Sequence, residues 1–425
     1  MKINLTKNQI VILSAGLILI LVLTLLALSG RKEQVGEPVA LRVWGFDDSP
    51  QMQEVLSAYQ ALRPGVTVRY EPIAEEGYEQ KLLEAMASGD SPDVFMVRGS
   101  DVLAFINKSS PAPTSSMNSS QLDTIFPTAI SQEYAGYSGE VWGLPVSLDS
   151  LALFYNKDDF EQAGIVFPPK NWNEFDSQIA LLTKKNDSGQ IEHAGVALGG
   201  GAGSNSLGVD ALLALMMQNG AEMNDRSSGV SFGNDSNALQ AFKYYLSFAN
   251  PSSLRYSWND SLGDAVSLFA GGRVSVLLGY QSTATLIKSK GPYLRYGQAF
   301  LPQTSSKSIN YAKTLGYMVS KQSRNQSYAW DFVMQVSMYE QIASAYMSST
   351  NRPPALKTLL DKKKNDPVAG IFALQGLTAR SWKQPSGYNS TVRSLDKAIR
   401  DVSAGVVDAT TALKRAQEEI NSYRR

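Results

Sequence analysis

Asp47 and Asp48 stand side by side, and a pair of carboxylates is the machinery of glycoside hydrolysis. That chemistry needs the two groups to flank one bond. Neighbours in an extended loop point apart, and no spacing rule links either of them to the third candidate, Asp149. The only histidine, His193, follows a hairpin-like Asn186-Asp187-Ser188-Gly189 turn and reads as a surface residue, not a general base. The same turn lacks the ligand spacing of a calcium loop. With no cysteine in the chain there is no thiol nucleophile, no disulfide and no Cys/His zinc cluster. Gly199-Gly200-Gly201-Ala202-Gly203 is followed by no Lys-Ser/Thr, so it is a loop and not a phosphate cradle. A G-x-S-x-G elbow is absent too. No catalytic residue, metal ligand or cofactor is expected, and a hydrolase is the weakest of the readings. The residue types that remain are those of binding: Trp and Tyr rings, with Asp, Asn and Arg to meet hydroxyl groups.

Those residues must be positioned by a scaffold, and the chain announces one. Leu41 to Gly45 reads as a strand. Ser49 as cap and Pro50 in the first turn open a helix whose inner face is Met52, Val55, Leu56, Tyr59 and Leu62. Pro64-Gly65 ends it, and Val66 to Val68 begins the next strand. Tyr78 to Ala87 is helical, and Gly89 to Asp93 turns into a strand at Val94 to Val97. The order β-α-β-α-β calls for a parallel sheet with right-handed crossovers. Asn107 to Gln121, rich in Ser, Pro and Asn, is a surface loop. Leu151 to Tyr155 is a short apolar run, as in a strand buried on both faces. Asn171 and Glu174 form a capping box before Trp172, Phe175, Ile179 and Leu182 at helical spacing. Asp210 to Asn219 and Ala238 to Phe248 are helical, and Val392 to Tyr423 carries two more helical patterns.

Some of these words are specific. Gly143-Leu144-Pro145, then Tyr155-Asn156-Lys157, then Pro168-Pro169-Lys170-Asn171-Trp172-Asn173-Glu174-Phe175 resembles the hinge segment of the extracytoplasmic solute-binding proteins of ABC importers, in the branch that includes maltose-binding protein. Asn171 stands where that family has Thr. Phe269 to Arg273 resembles its Phe-x-x-Gly-Lys helix end, with Arg for Lys, and Ala329-Trp330-Asp331-Phe332 its Ala-Trp-x-Phe helix. Asn351-Arg352-Pro353-Pro354 is similar to a Gly-x-x-Pro segment in which small residues are usual. The resemblance runs from Leu41 to the end. It implies an α/β fold of two lobes (type II-like), each a mostly parallel sheet flanked by helices. The expected division is 41–149 plus 298–355 for lobe 1 and 150–297 plus 356–425 for lobe 2. It also implies a small solute, of which a carbohydrate fits best, and ABC permease subunits as partners of a monomer.

Ligand groups in this topology lie at the carboxyl ends of strands. That rule and the resemblance together name the candidates. Trp44, Asp47 and Asp48 follow the first strand, with a core role for Trp44 equally open. Arg98 and Ser100 follow the third. Pro145 and Asp149 sit at the first crossing, and Tyr155, core or contact, ends the hinge strand. Trp258, in a Ser-Trp-Asn-Asp loop, resembles the family's stacking Trp and is the strongest single candidate. Tyr280 and Gln281 follow the Ser275 strand, and Gly316 and Tyr317 complete the set.

The amino terminus bears on location. Ile10 to Leu28 is a run of 19 residues without charge, about 28 Å as a helix and close to a ~30 Å hydrocarbon core. Its length favours an uncleaved signal anchor over residues 1–32, followed by a short linker at 33–40. Cleavage after Ser29, in Ala27-Leu28-Ser29, is the alternative. The resemblance puts the bulk of this single-pass chain on the extracytoplasmic side of the cytoplasmic membrane. The family's usual lipid tether needs a cysteine, which is missing here. Lys plus Arg and Asp plus Glu are 39 each, so no charge bias points to nucleic acid. Two alternatives stay open: the same fold with a non-sugar solute, and a ligand-sensing ectodomain.

Overall fold

The computed structural model describes residues 39–225, 229–305 and 308–423. The apolar run at 10–28 and the linker up to residue 38 lie outside these. Among the described residues no helix is long and apolar enough to cross a membrane.

The strands, in chain order, are β1 (Val39–Gly45), β2 (Val66–Pro72), β3 (Val94–Arg98), β4 (Ser109–Ser110), β5 (Leu144–Ser150), β6 (Ala152–Asn156), β7 (Lys184–Lys185), β8 (Ile191–Val196), β9 (Val274–Gly279), β10 (Tyr296–Ala299), β11 (Asn310–Ser320) and β12 (Ala379–Arg380). They form two sheets, one for each of two lobes. The first has the order β12-β11-β3-β1-β2, with β4 and β5 also pairing with β11. The second has the order β10-β6-β9-β8-β7.

The opening β-α-β-α-β unit is parallel, with β1 between β2 and β3. Elsewhere the sheets depart from the mostly parallel expectation. β11 runs antiparallel to β3 and β5, and β6 antiparallel to β9 and β10; β8 with β9 and β11 with β12 are parallel. Both sheets are therefore mixed. The cause is the hinge, because a strand that crosses from one lobe to the other enters the second sheet against its neighbours' direction.

Local sequence explains the helix starts. Asp48, one residue before the expected Ser49, takes the N-cap of helix Ser49–Leu62, and Gln51 Oε1 accepts its backbone N–H at 3.0 Å. Asn171 caps helix Trp172–Leu182 by accepting the Glu174 N–H at 2.9 Å, as its spacing implies.

The chain changes lobes three times. β5 runs through fully buried Leu151 directly into β6. It returns between β10 and β11, and leaves again between β12 and helix Tyr388–Ser403. Two boundary expectations are corrected here. Residues 298 and 299 belong to β10, which pairs with β6 in the second sheet, so the return comes at β11. Leu356, Leu359 and Ala379, assigned to lobe 2 from sequence, pack in the first core with Leu41, Val43 and Phe332. Between them Phe372 turns into the second lobe's core beside Phe154, so this segment touches both lobes before the chain leaves the first sheet after β12. Leu395, Ile399, Leu413 and Ile420 of the closing helices join the second core.

Candidate functional site

Where the three crossings converge, the two lobes enclose a cavity of about 800 Å³. This is within the usual ~300–1,000 Å³ of ligand pockets. The first lobe contributes Arg98 and Ser100 from the end of β3, Glu133 from helix Thr128–Tyr134, Ser147 and Asp149 from β5, and Arg352. The strand β11 runs along the floor with Tyr311, Lys313 and Thr314. The second lobe contributes Tyr280, Ser282 and Thr283 at the start of helix Gln281–Lys290, together with Tyr388 and Asn389. A second cavity of about 600 Å³ shares Glu75, Arg98 and Asn389 with it.

Each cation in the wall has a carboxylate of its own. Arg98 Nε donates to Glu75 Oε1 at 2.9 Å, and its Nη1 reaches across the lobes to Asn389 Oδ1 at 2.9 Å. Arg352 Nε donates to Asp47 Oδ1 at 2.8 Å. Lys313 Nζ lies 2.5 Å from Asp210 Oδ2. Arg352 is turned toward Asp47 by Asn351, which ends helix Glu340–Thr350 in the left-handed region at φ 55°. Asn tolerates that conformation better than most residues.

Among the described residues, two carboxyl groups face the cavity without a direct cation partner. Glu133 is 3 % exposed and accepts from Thr314 Oγ1 and from Ser381 Oγ, the latter at 2.6 Å. Burial pushes its pKa up to about 7 against those hydrogen bonds. Gly99 packs so close that a Cβ there would sit 1.9 Å from Glu133 Oε2. Asp149 caps a helix of the opposite lobe, accepting the Gln281 N–H at 3.0 Å and the Ser282 N–H at 3.3 Å. Burial raises its pKa to about 6, opposed by those two bonds and by Lys313 and Arg352.

Of the sequence candidates, Arg98, Ser100, Asp149 and Tyr280 line the cavity. Gln281 meets it through the backbone bond to Asp149. Asp47 is set one layer back, 3 % exposed, between Arg352 and the Tyr346 hydroxyl at 2.6 Å. Asp48 is a helix cap. Trp44 is 4 % exposed in the first core, its indole donating to Glu71 Oε2 at 2.9 Å. Pro145 and Gly316 pair across β5 and β11, where a Cβ on Gly316 would sit 2.3 Å from the Leu144 carbonyl oxygen. Tyr317 is fully buried against Phe332. Tyr155 packs on Phe160 at 4.8 Å.

The strongest candidate, Trp258, lies away from the cavity. It is fully buried with Phe154, Phe269 and Phe372 in the second lobe. The Ser257 and Trp258 N–H groups both bond the Phe248 carbonyl, which folds the loop inward. His193 is likewise not a plain surface residue. Its Nε2 lies 2.8 Å from Ser275 Oγ and 3.1 Å from Asp159 Oδ2, and it does not line the cleft.

The residues that sequence reasoning missed include Glu133, Tyr311, Lys313, Arg352, Tyr388 and Asn389. Glu133 had a signal, since it shares the buried helical stripe of Ala129, Ile130 and Tyr134, where a carboxylate is out of place. Among the described residues no group of acidic residues and histidine is arranged to hold a metal.

Residues 46–338 match the sequence model of a family described as bacterial extracellular solute-binding protein. A relative from Brucella abortus is 28 % identical over 327 residues, 74 % of this chain and 75 % of its own length. Among solved structures, the cyclic α-maltosyl-1,6-maltose binding protein of Arthrobacter globiformis is similar, with a TM-score of 0.75 at 18 % identity, covering 91 % of this chain and 99 % of that one. The sugar-binding protein MalE of Xanthomonas citri has a TM-score of 0.75 at 16 % identity, covering 91 % and 97 %. At such identities the likeness establishes the two-lobed fold.

Proposed function

The chain belongs to the bacterial extracellular solute-binding proteins, and from that premise we propose that it captures a sugar or short oligosaccharide for an ABC importer. The two lobes close on the solute as the chain bends at its crossings. The apolar segment at 10–28 holds the protein at the outer face of the cytoplasmic membrane, since the chain has no cysteine to carry a lipid.

One observation carries the choice of solute: Arg98, Lys313 and Arg352, the cations of the cleft, are each neutralised by a carboxylate of the protein. At Lys313 and Arg352 a phosphate or carboxylate solute would have to break the pair and leave the buried Asp210 or Asp47 without its cation, whereas Glu75, the partner of Arg98, is exposed. The remaining wall is built of the hydroxyl residues Ser100, Ser147, Ser282, Thr283 and Thr314 and of Tyr388, whose ring is partly exposed, with the buried Tyr280 and Tyr311 behind it. Hydroxyl groups both donate and accept, as sugar hydroxyls do, and tyrosine rings give flat apolar faces to the C–H faces of a pyranose. Relatives of the same fold bind such ligands: one structure holds maltotetraose and another is a cyclic maltosyl-maltose binding protein.

A thermal-shift screen of mono- and oligosaccharides against polyamines, peptides and phosphates tests the reading. A ligand at 100 times its Kd adds about 2.7 kcal/mol, a shift of several degrees. A neutral sugar should give the largest shift. A shift with phosphate or a polyamine and none with any sugar overturns the choice of solute.

A further inference from the structure

Lys313 sits where the first sheet meets the second lobe. On β11 it stands opposite Asp149 of β5. Its side chain leaves that sheet and ends among three groups of the other lobe. Asp210, fully buried in the first turn of helix Gly208–Gln218, takes the ammonium at 2.5 Å. The ring centroid of Tyr280 is 4.9 Å from the ammonium, and that of Tyr388 is 4.6 Å away. The box is itself tied together, because the Tyr388 hydroxyl donates to Asp210 Oδ1 at 2.9 Å. Aromatic faces beside a carboxylate are how proteins hold an ammonium ion. Here the ion belongs to the chain.

We infer that Lys313 is a positioning residue that fastens the two lobes together beneath the cleft, by seating its ammonium in the Asp210–Tyr280–Tyr388 box before any solute arrives. Three features support this. The pair spans lobes, whereas Arg98–Glu75 and Arg352–Asp47 stay within the first. The partner acid is wholly buried, so solvent cannot replace the ammonium without exposing the helix start. The side chain is also 33 % exposed, on the cavity side. Its contact with Asp210 is an ion pair, and an ammonium has three donors, so a donor remains for a solute oxygen. A single residue then both sets the resting angle of the lobes and senses what lies between them. This deepens the reading of the cleft as a site that closes. Its test needs no solute, so a failed sugar screen and a failed latch are separate results.

The chain has no cysteine, which makes site-directed spin labelling clean. Gln53→Cys on helix Ser49–Leu62 and Lys288→Cys on helix Gln281–Lys290 are exposed and lie on opposite lobes. The full chain in detergent, without added solute, is measured by double electron-electron resonance. The background protein should give a dominant short distance. Lys313→Met alone should lower Tm by about 5 °C or more, because it strands the buried Asp210. Lys313→Met with Asp210→Asn should recover much of that Tm and still shift the distances to longer values. A recovered double variant with the unshifted distribution overturns the proposal, since a purely structural ion pair would move Tm and not the lobes. Lys313→Gln, which keeps a donor and loses the charge, is read in the same way if the double variant does not fold.

Discussion

Glu133 gives the most direct test of the electrostatics of the cleft. Its carboxyl is buried on the first-lobe side and pushed up to about 7 from an ordinary 4.5, with burial the dominant cause. The sign is opposite to that of a salt-bridged carboxylate. The folded state holds a proton that the unfolded chain releases near pH 4.5, so Glu133 favours folding least when it must ionise. Stability from this group is greatest below about pH 4.5, declines as pH rises through the window from 4.5 to about 7, and is level above it. The gap corresponds to about 3 kcal/mol. With the group 3 % exposed, solvent screening takes little from that figure. Glu133→Gln keeps the shape, still accepts from Thr314 or Ser381, and cannot ionise. Urea unfolding of both proteins from pH 5 to 8.5 isolates the group, because every other titrating residue is common to both. The variant should be within about 1 kcal/mol of the natural protein at pH 5 and gain on it by about 2–3 kcal/mol by pH 8. A difference that stays flat across this range would falsify the argument, for it would mean that Glu133 is already ionised inside the fold.

The sequence carried the scaffold further than the site, for a physical reason. Strands and helices announce themselves by period, so β1 to β3, the Asn171 cap and the closing helices were legible from residue type alone. The family words at Gly143-Leu144-Pro145 and Tyr155-Asn156-Lys157 marked the first crossing, and they flank the β5–β6 passage. A cleft is assembled from different parts of the chain, and period says nothing of which segments meet. Lys313 and Asp210 are about a hundred residues apart, and Arg352 and Asp47 about three hundred. Neither residue of either pair stands out alone. A shared residue type does not fix where a side chain points. Trp258 carries the family's residue type in a similar loop, yet the bonds to the Phe248 carbonyl turn the indole into the core. Asp47 fails differently. It was chosen as a contact, and the structure uses it to hold one, Arg352.

The remaining predictions concern those same residues. Trp258→Ala should cost about 3–5 kcal/mol in urea unfolding, as a fully buried indole requires, while Trp258→Phe should cost much less. An exposed, ligand-stacking indole would instead leave stability within about 0.5 kcal/mol and abolish the thermal shift by solute. Asp149→Ala should destabilise by about 1 kcal/mol by uncapping helix Gln281–Lys290, and Asp149→Asn by less, since the amide oxygen can still accept the Gln281 N–H. Arg352→Met should cost about 3–5 kcal/mol, because Asp47 is 3 % exposed and would keep only the hydroxyl of Tyr346 and lose its cation. The control decides the cause. If the loss comes from a stranded charge, adding Asp47→Asn to Arg352→Met should restore most of it, and the two substitutions should be strongly non-additive. If the arginine mattered only through the packing of its stem, the second substitution would add its own cost and the double variant would be the least stable of the set.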